Sequence, residues 1–329
     1  MVAQKGDTNI LYDIIIVGGG VSGFSAAMYS GRLAMKPLLF GDLMGGIITT
    51  TDEVSNYPGI KKLTGIELAD KIKEHAEEYD IWVEHNKIVK VEKLKSHFKV
   101  KSEDGKMFKS KTILFATGSK WRKLGVPGEE EFANKGVHYC ALCDSFAYKN
   151  KVTAIIGGSD TAAKDALVLA QAGKKVYMIY RGEKIRPEHV NLIKIENMIK
   201  KGKIEIINNT NVVEIKGDSN GVTHIILDKS YKGSKEFQLD GVFIAIGHIA
   251  LSDLAKDLGV KLNKKGEIKI NRTSETNVPG VYAAGDVGDT VFKQAITGVA
   301  EAVLASYSAY EHISKMWILI ILNFFSFIN

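Results

Sequence analysis

Two stretches of the chain carry one hydropathy pattern. "YDIIIVGGGVSGFSAAMYSGR", from Tyr12, opens on an unbroken apolar run, passes through clustered glycines and ends in small and apolar residues at helical spacing. "KVTAIIGGSDTAAKDALVLAQAG", from Lys151, repeats it. A short continuous apolar run closed by turn residues reads as a buried strand, and the alanine-rich segment behind it as a helix. Each stretch therefore predicts strand, tight turn and helix. Each also has a distant echo, "ILFATGS" ending at Ser119 and "VFIAIGH" ending at His248, both apolar runs stopped by a glycine. The last 14 residues, "MWILIILNFFSFIN", are almost wholly apolar. As a helix they would extend about 21 Å, short of the roughly 30 Å of a bilayer core, so no membrane span is expected. A membrane-surface anchor, an interface strand and a neutral extension remain the readings for this tail.

The first glycine cluster satisfies G-x-G-x-x-G with Gly18, Gly20 and Gly23. Gly18 permits the turn, Gly20 lets backbone approach a pyrophosphate, and Gly23 lets the helix pack on the strand with its N-terminus toward the phosphates. The acidic ribose ligand that belongs about 20 residues later has Asp42 as its nearest candidate. The second cluster reads Gly157, Ser159 and Ala162 at the same positions. Ser159 stands where a glycine is usual, and its side chain either crowds a phosphate or hydrogen-bonds to it. Arg181, Lys184 and Arg186 follow the next apolar run and suit a 2′-phosphate, the mark of NADP; a solvated basic loop is the plain alternative. The chain thus contains two nucleotide-binding units of similar plan. Gly285-Asp286 in "VPGVYAAGDV" precedes a helical stretch, so its carboxylate either caps that helix or holds cofactor hydroxyls. Beside two dinucleotide units it argues for a flavin.

Composition narrows the picture. Length predicts two domains at roughly 150 residues each, and 45% hydrophobic with 25% charged residues is ordinary globular content. The net charge of +6 comes from lysines scattered among glutamates, without the dense basic and aromatic cluster of a nucleic-acid binder. The polar N-terminus, "MVAQKGDTNILY", lacks a secretory signal's apolar core. Both cysteines lie in "YCALCDSF", as Cys140 and Cys143, with Asp144 directly after. A disulfide framework needs more cysteines, and a zinc site needs four N/S ligands, for which no second CxxC or HxxxH exists. No metal is expected; a redox-active dithiol or a chance pair remains, and with no signal the compartment expected is the cytoplasm.

As a set, these residues resemble the low-molecular-weight thioredoxin reductases. "GGGVSG", "GGIITTTDEVSNYPG", "ATGS", "CALCD", "IGGSDTA", "FIAIGH", "VPGVYAAGDV" and "KQAIT" occur in that family's order and spacing. The resemblance implies an α/β fold of two Rossmann-like dinucleotide-binding domains with mainly parallel sheets, the second inserted into the first. Residues 1–120 and 249–315 would bind FAD, 121–248 would bind NAD(P) and carry the CxxC, and 316–329 would form the apolar tail. It implies a homodimer in which one domain swings against the other. Hydride would pass from NADPH, with NADH the alternative, to flavin, then to a Cys140–Cys143 disulfide, then to a thioredoxin or glutaredoxin-like protein. Cys143 would face the flavin, Cys140 would attack the partner, and Asp144 would serve as acid and base. His138 would raise thiolate character or, in the plainer reading, lie on the surface.

By the same resemblance FAD would be held by Gly18, Gly19, Gly20, Val21, Ser22, Gly23, Gly41, Asp42, Gly45, Gly46, Ile47, Asn56, Val89, Ala116, Thr117, Gly118, Gly285, Asp286, Lys293, Gln294 and Ala295. The nicotinamide cofactor would meet Gly157, Ser159, Asp160, Thr161, Arg181, Arg186, Gly247 and His248. The departures gather in this second set: Ser159 for glycine, Gly182 for arginine, and Ile249-Ala250 for a small residue followed by proline. Ile47 replaces a glutamine near the flavin, and Ala147 an aromatic beside the cysteines. They keep a second reading open, a related flavoprotein with lost or altered NADPH use: another donor, a dithiol oxidase, or a non-enzymatic redox sensor.

Overall fold

The strand Leu11–Val17 forms because its β-branched residues are buried on both faces of a sheet. Ile15 and Val17 point into one apolar layer with Val91, Val100 and Phe108. Ile14 and Ile16 point into the other, against Phe24 and Ala27 of the helix Val21–Arg32 and Ala302 and Ala305 of the last helix. The computed structural model describes residues 3–51, 54 and 56–326; the side chains of Cys143 and of residues 316–326 are outside that description.

The chain divides into two units, Met1–Lys120 with Ile249–Asn329, and Trp121–His248. In the first, Leu11–Val17 pairs in parallel with Pro37–Phe40 on one side and Met107–Phe115 on the other. The nine-residue strand Met107–Phe115 shares its far edge between two partners. Its first half is antiparallel to Phe98–Ser102, and its second half is parallel to Val281–Ala283, with Ile113 opposite Val281. Residues from beyond the second unit thus complete the first unit's sheet. The helix Ala295–Ser326 packs small residues against Val21–Arg32, and Ser306 Oγ donates to Ala26 O at 3.1 Å.

The second unit repeats the plan. Val152–Ile156 pairs in parallel with Lys175–Ile179 and with Gly241–Ile244, which is bordered by Val137–His138. The echo strands Met107–Phe115 and Gly241–Ile244 thus both lie beside the strand that precedes a glycine turn. An antiparallel sheet of Val212–Asp218, Gly221–Tyr231 and Ser234–Gln238 is added. The two chain crossings pair with each other, Ser119–Trp121 with His248–Ala250. The tail reading of an interface strand is corrected: the helix runs on to Ser326, and no glycine or proline lies between Val299 and Ser326 to stop it. Among the described residues, no helix is long and apolar enough to cross a membrane.

Candidate functional site

In the first unit the glycine turn is dictated by backbone packing. Gly18 has φ +127°, and a Cβ there would lie 2.2 Å from Ala116 O. A Cβ on Gly23 would lie 1.9 Å from Gly18 O. Gly20 differs, because a Cβ on it would meet nothing closer than Gly46 Cα at 3.6 Å. The protein itself does not demand glycine at Gly20, and the open space there leaves its backbone accessible to a ligand. The helix Val21–Arg32 starts there with no side-chain cap and no acid in its first turn. Its free N–H groups and dipole suit an anion. Val21, Ser22 and Gly23 form that first turn. These residues fit a dinucleotide pyrophosphate.

The other residues expected at this site gather around the turn unevenly. Gly45 N–H donates to Gly19 O at 2.8 Å, Gly46 lies against Gly20, and Gly41 packs on Gly19. Ile47 opens the short turn Ile47–Thr50. Gly285 sits against Ser22 Oγ, and Asp286 accepts from Ser119 Oγ at 3.3 Å. Asp286 is not a cap of the last helix, which starts only at Ala295. Asn56 Nδ2 donates to Gln294 Oε1 at 2.8 Å. Thr117 Oγ1 donates to Leu251 O at 2.6 Å, and Gly118 takes φ +69° to turn the chain. Two side chains are committed elsewhere. Lys293 Nζ donates to Asp286 O and Gly288 O, both at 2.6 Å, and pairs with Glu267 at 3.2 Å. Asp42 lies just past Pro37–Phe40 and pairs with Lys87 at 3.1 Å. Burial opposes its ionisation, but Lys87 prevails and holds the carboxyl below its usual range. Val89 sits at a register shift on an edge strand, nearly half exposed. Glu301, unmarked by any motif, accepts from Gly285 N at 2.8 Å and from Thr290 Oγ1.

The second unit's turn keeps the shape and changes the chemistry. A Cβ on Gly157 would lie 2.4 Å from Ala245 O, as Gly18 lies against Ala116. Ser159, however, caps the helix Asp160–Ala172, its Oγ accepting from Ala162 N at 3.4 Å. One of the N–H groups that would meet a phosphate is therefore already engaged. Asp160 brings a carboxylate to the same helix end, held by Glu188 N, Asn191 Nδ2 and Lys164. Tyr180 lies between two glycines: a Cβ on Gly158 or on Gly182 would come within 2.5 or 2.6 Å of its ring. Arg186 N–H donates to Gly158 O at 2.7 Å, and its Nη2 donates to Tyr180 Oη at 3.1 Å. Arg181 and Thr161 are exposed. His248 packs edge-on against Trp121 at 4.2 Å, and Gly247 O accepts from Arg122 N.

The cysteine segment leaves the edge strand Val137–His138 and turns through Ala141–Asp144. Asp144 N–H donates to Cys140 O at 3.2 Å, and Ala141 is buried among Ala162, Ala163 and Ala166. Cys140 is disulfide-bonded, and Cys143 is the chain's one other cysteine. Leu142 and Phe146 beside them are 65% and 62% exposed. Tyr139 donates to Glu129 Oε1 at 2.7 Å, and burial and that carboxylate raise its pKa.

His138 corrects the expectation of a surface residue. It is buried, stacked on Phe243 at 5.2 Å. Its Nε2 lies 2.8 Å from Tyr148 Oη, and its Nδ1 lies 3.3 Å from Asp144 Oδ2 without hydrogen-bond geometry. Burial, helped by Asp144 and Asp240, pushes the Tyr148 hydroxyl up to about 12. Asp144 heads the turn Ser145–Tyr148 but makes no side-chain cap there, so its carboxylate serves the His138 contact instead. A buried nitrogen left without a hydrogen bond costs about 1–3 kcal/mol.

Asp165 is a half-buried acid, on the helix that packs on the cysteine turn. Burial alone pushes it up to about 7. The unfolded chain releases this proton near pH 4 and the folded one keeps it to about 7. Stability from this group therefore falls as pH rises through that window. Asp165→Asn is expected to unfold like the parent at pH 4 and to be more stable at pH 8, by up to about 4 kcal/mol. Thermal unfolding at the two pH values checks this.

Comparison with known proteins places these features. Residues 12–302 match the family model described as pyridine nucleotide-disulphide oxidoreductase. The chain is 36% identical over 313 residues to a thioredoxin reductase of Buchnera aphidicola subsp. Schizaphis graminum, covering 92% of this chain and 97% of the relative. It is 37% identical over 310 residues to a glucosaminate ammonia-lyase of Pseudomonas fluorescens, covering 92% and 96%. Among solved structures, the thioredoxin reductase of Lactococcus lactis superposes with a TM-score of 0.72 at 34% identity, covering 92% of this chain and 99% of that one.

Proposed function

The chain belongs to the pyridine nucleotide-disulphide oxidoreductase family, and from that premise we propose that it is a thioredoxin-disulfide reductase. Electrons from NAD(P)H reach the cysteine pair and then the disulfide of a thioredoxin or glutaredoxin-like protein. Membership alone does not decide the activity, since relatives of nearly equal identity carry the names of a reductase and of an ammonia-lyase. The observation that carries the reading is Cys140 in a disulfide, with Asp144 directly behind the pair on a turn that exposes Leu142 and Phe146. A dithiol of this kind exchanges through a mixed disulfide, and the two apolar side chains offer a partner a surface.

Each group has its part. The open helix end behind Gly18, Gly20 and Gly23 would hold the FAD pyrophosphate, with Asp286 toward its hydroxyl-bearing portion and Gln294 and Ala295 at the last helix's N-terminus beside the ring. Bound there, FAD supplies two-electron relay chemistry. Gly157, Gly247 and His248 would receive the nicotinamide cofactor, with Arg181 and Arg186 as cations for a 2′-phosphate. Asp144 would hold and return a proton at the cysteine sulfurs. We place the enzyme in the cytoplasm as a homodimer.

One observation favours a second reading for the donor. Ser159 occupies a helix N–H, and the Tyr180 ring leaves no room for an arginine at Gly182. NADPH then has little advantage over NADH, or another reductant takes its place. The test is a steady-state assay of the purified holoprotein with oxidised thioredoxin and either nucleotide. One thioredoxin dithiol formed per nucleotide oxidised supports the reductase. Oxygen uptake driven by small dithiols, with no nucleotide consumed, supports an oxidase and rejects it.

A further inference from the structure

Reduction of a disulfide by NAD(P)H breaks one S–S bond and forms two S–H bonds. The hydride carries both electrons and one proton, so the second proton comes from an acid beside the pair. Asp144 is placed for this, yet its carboxylate is only the outer member of a row. Asp144 Oδ2, His138 Nδ1, His138 Nε2 and Tyr148 Oη follow one another at 3.3 and 2.8 Å across the imidazole. The row is walled by Phe243, which stacks on His138 and meets Tyr148 edge-on at 5.2 Å. His138 and Tyr148 are buried and Asp144 is mostly so. Nothing in the thiol chemistry as described uses His138 or Tyr148.

We propose that His138 is a positioning residue for Asp144, and that with Tyr148 it holds the proton which the carboxylate exchanges with the cysteine pair. This rests on the reading of the pair as a redox dithiol. When Tyr148 O–H donates to Nε2, Nδ1 carries its hydrogen toward Asp144. When Nε2–H donates to Tyr148, Nδ1 stands as the acceptor facing a protonated Asp144 carboxyl, across a 3.3 Å contact that must tighten to become a hydrogen bond. The raised hydroxyl of Tyr148 stays protonated in both, so the second state holds one proton more than the first, and that proton is the one exchanged with the cysteine pair. With it on the imidazole rather than on Asp144, the row presents an imidazolium two residues from Cys140, which favours the thiolate.

The other charged groups facing the row are Asp240, which acts on Tyr148, and Lys151, whose Nζ lies 5.4 Å from the Tyr148 ring centre. Asp165 lies on the helix packed on the cysteine turn. Asp165 is therefore the competing source of any pH effect near neutrality.

The experiment measures alkylation of the chemically reduced holoprotein by iodoacetamide from pH 4.5 to 9.5, with the modified cysteine identified by mass. In the parent, the rate should fall with pH less steeply than tenfold per unit, leaving a shoulder on the acid side of the profile. In His138→Asn the shoulder should vanish, leaving the rate at pH 6 roughly tenfold lower. Tyr148→Phe should move the shoulder, and Asp165→Asn should leave it in place. A shoulder that survives His138→Asn, or that disappears only in Asp165→Asn, overturns the proposal. Should His138→Asn fail to fold, an unmoved shoulder in Tyr148→Phe overturns it equally. The readout needs no nucleotide and no thioredoxin, so a protein inactive as a reductase still decides it.

Discussion

Cys143→Ser is expected to reduce thioredoxin at background rate while the holoprotein still accepts electrons from reduced nucleotide. Cys140 is held in a disulfide, and opening it and remaking it is the whole of the exchange chemistry. With one sulfur left, a mixed disulfide between Cys140 and a partner has no internal thiol to resolve it. The complex should accumulate and be released by added dithiothreitol. Stopped-flow spectra at the cofactor band, beside a thioredoxin assay, separate the two halves of the reaction. Turnover retained at even a tenth of the parent rate contradicts the assignment of this pair.

Asp144→Asn is expected to lower kcat for disulfide reduction by about 10²–10³-fold, within the range of a lost general acid or base. The amide has the carboxylate's shape, and Asp144's backbone bond to Cys140 O is untouched. The side chain makes no cap of its own turn. Stability should therefore change little while the rate collapses. Thermal unfolding beside steady-state kinetics makes the distinction. A variant with parent kcat and lowered Tm would assign Asp144 to folding alone.

The parts legible in the sequence are those whose cause is local. Gly18 and Gly23 are required because a Cβ at either would strike a backbone carbonyl, and that requirement leaves a fixed spacing in the chain. The buried strand Leu11–Val17 is legible for the same reason, since a strand covered on both faces must be apolar throughout. The burial of His138 is not legible in the sequence because it is decided by Phe243 and Tyr148, which approach it only when Gly241–Ile244 pairs with Val137–His138. A two-residue strand has no periodicity to reveal which way it faces. The antiparallel strands Val212–Asp218 and Gly221–Tyr231 mix charged and apolar residues across register shifts, so their alternation is broken where a reader would look for it. Ser159 is legible as a departure from glycine, but its role as cap depends on a contact with Ala162 that spacing permits and does not compel.

The measurement that bears most directly on the account is an anaerobic titration of the oxidised holoprotein with NADPH, and separately with NADH, counting free thiols under denaturing conditions after each addition. The account predicts that at least one nucleotide bleaches the flavin band and raises the thiol count from none to two per chain. Dithionite producing those thiols while neither nucleotide does would contradict it, and would move the search to a different electron donor.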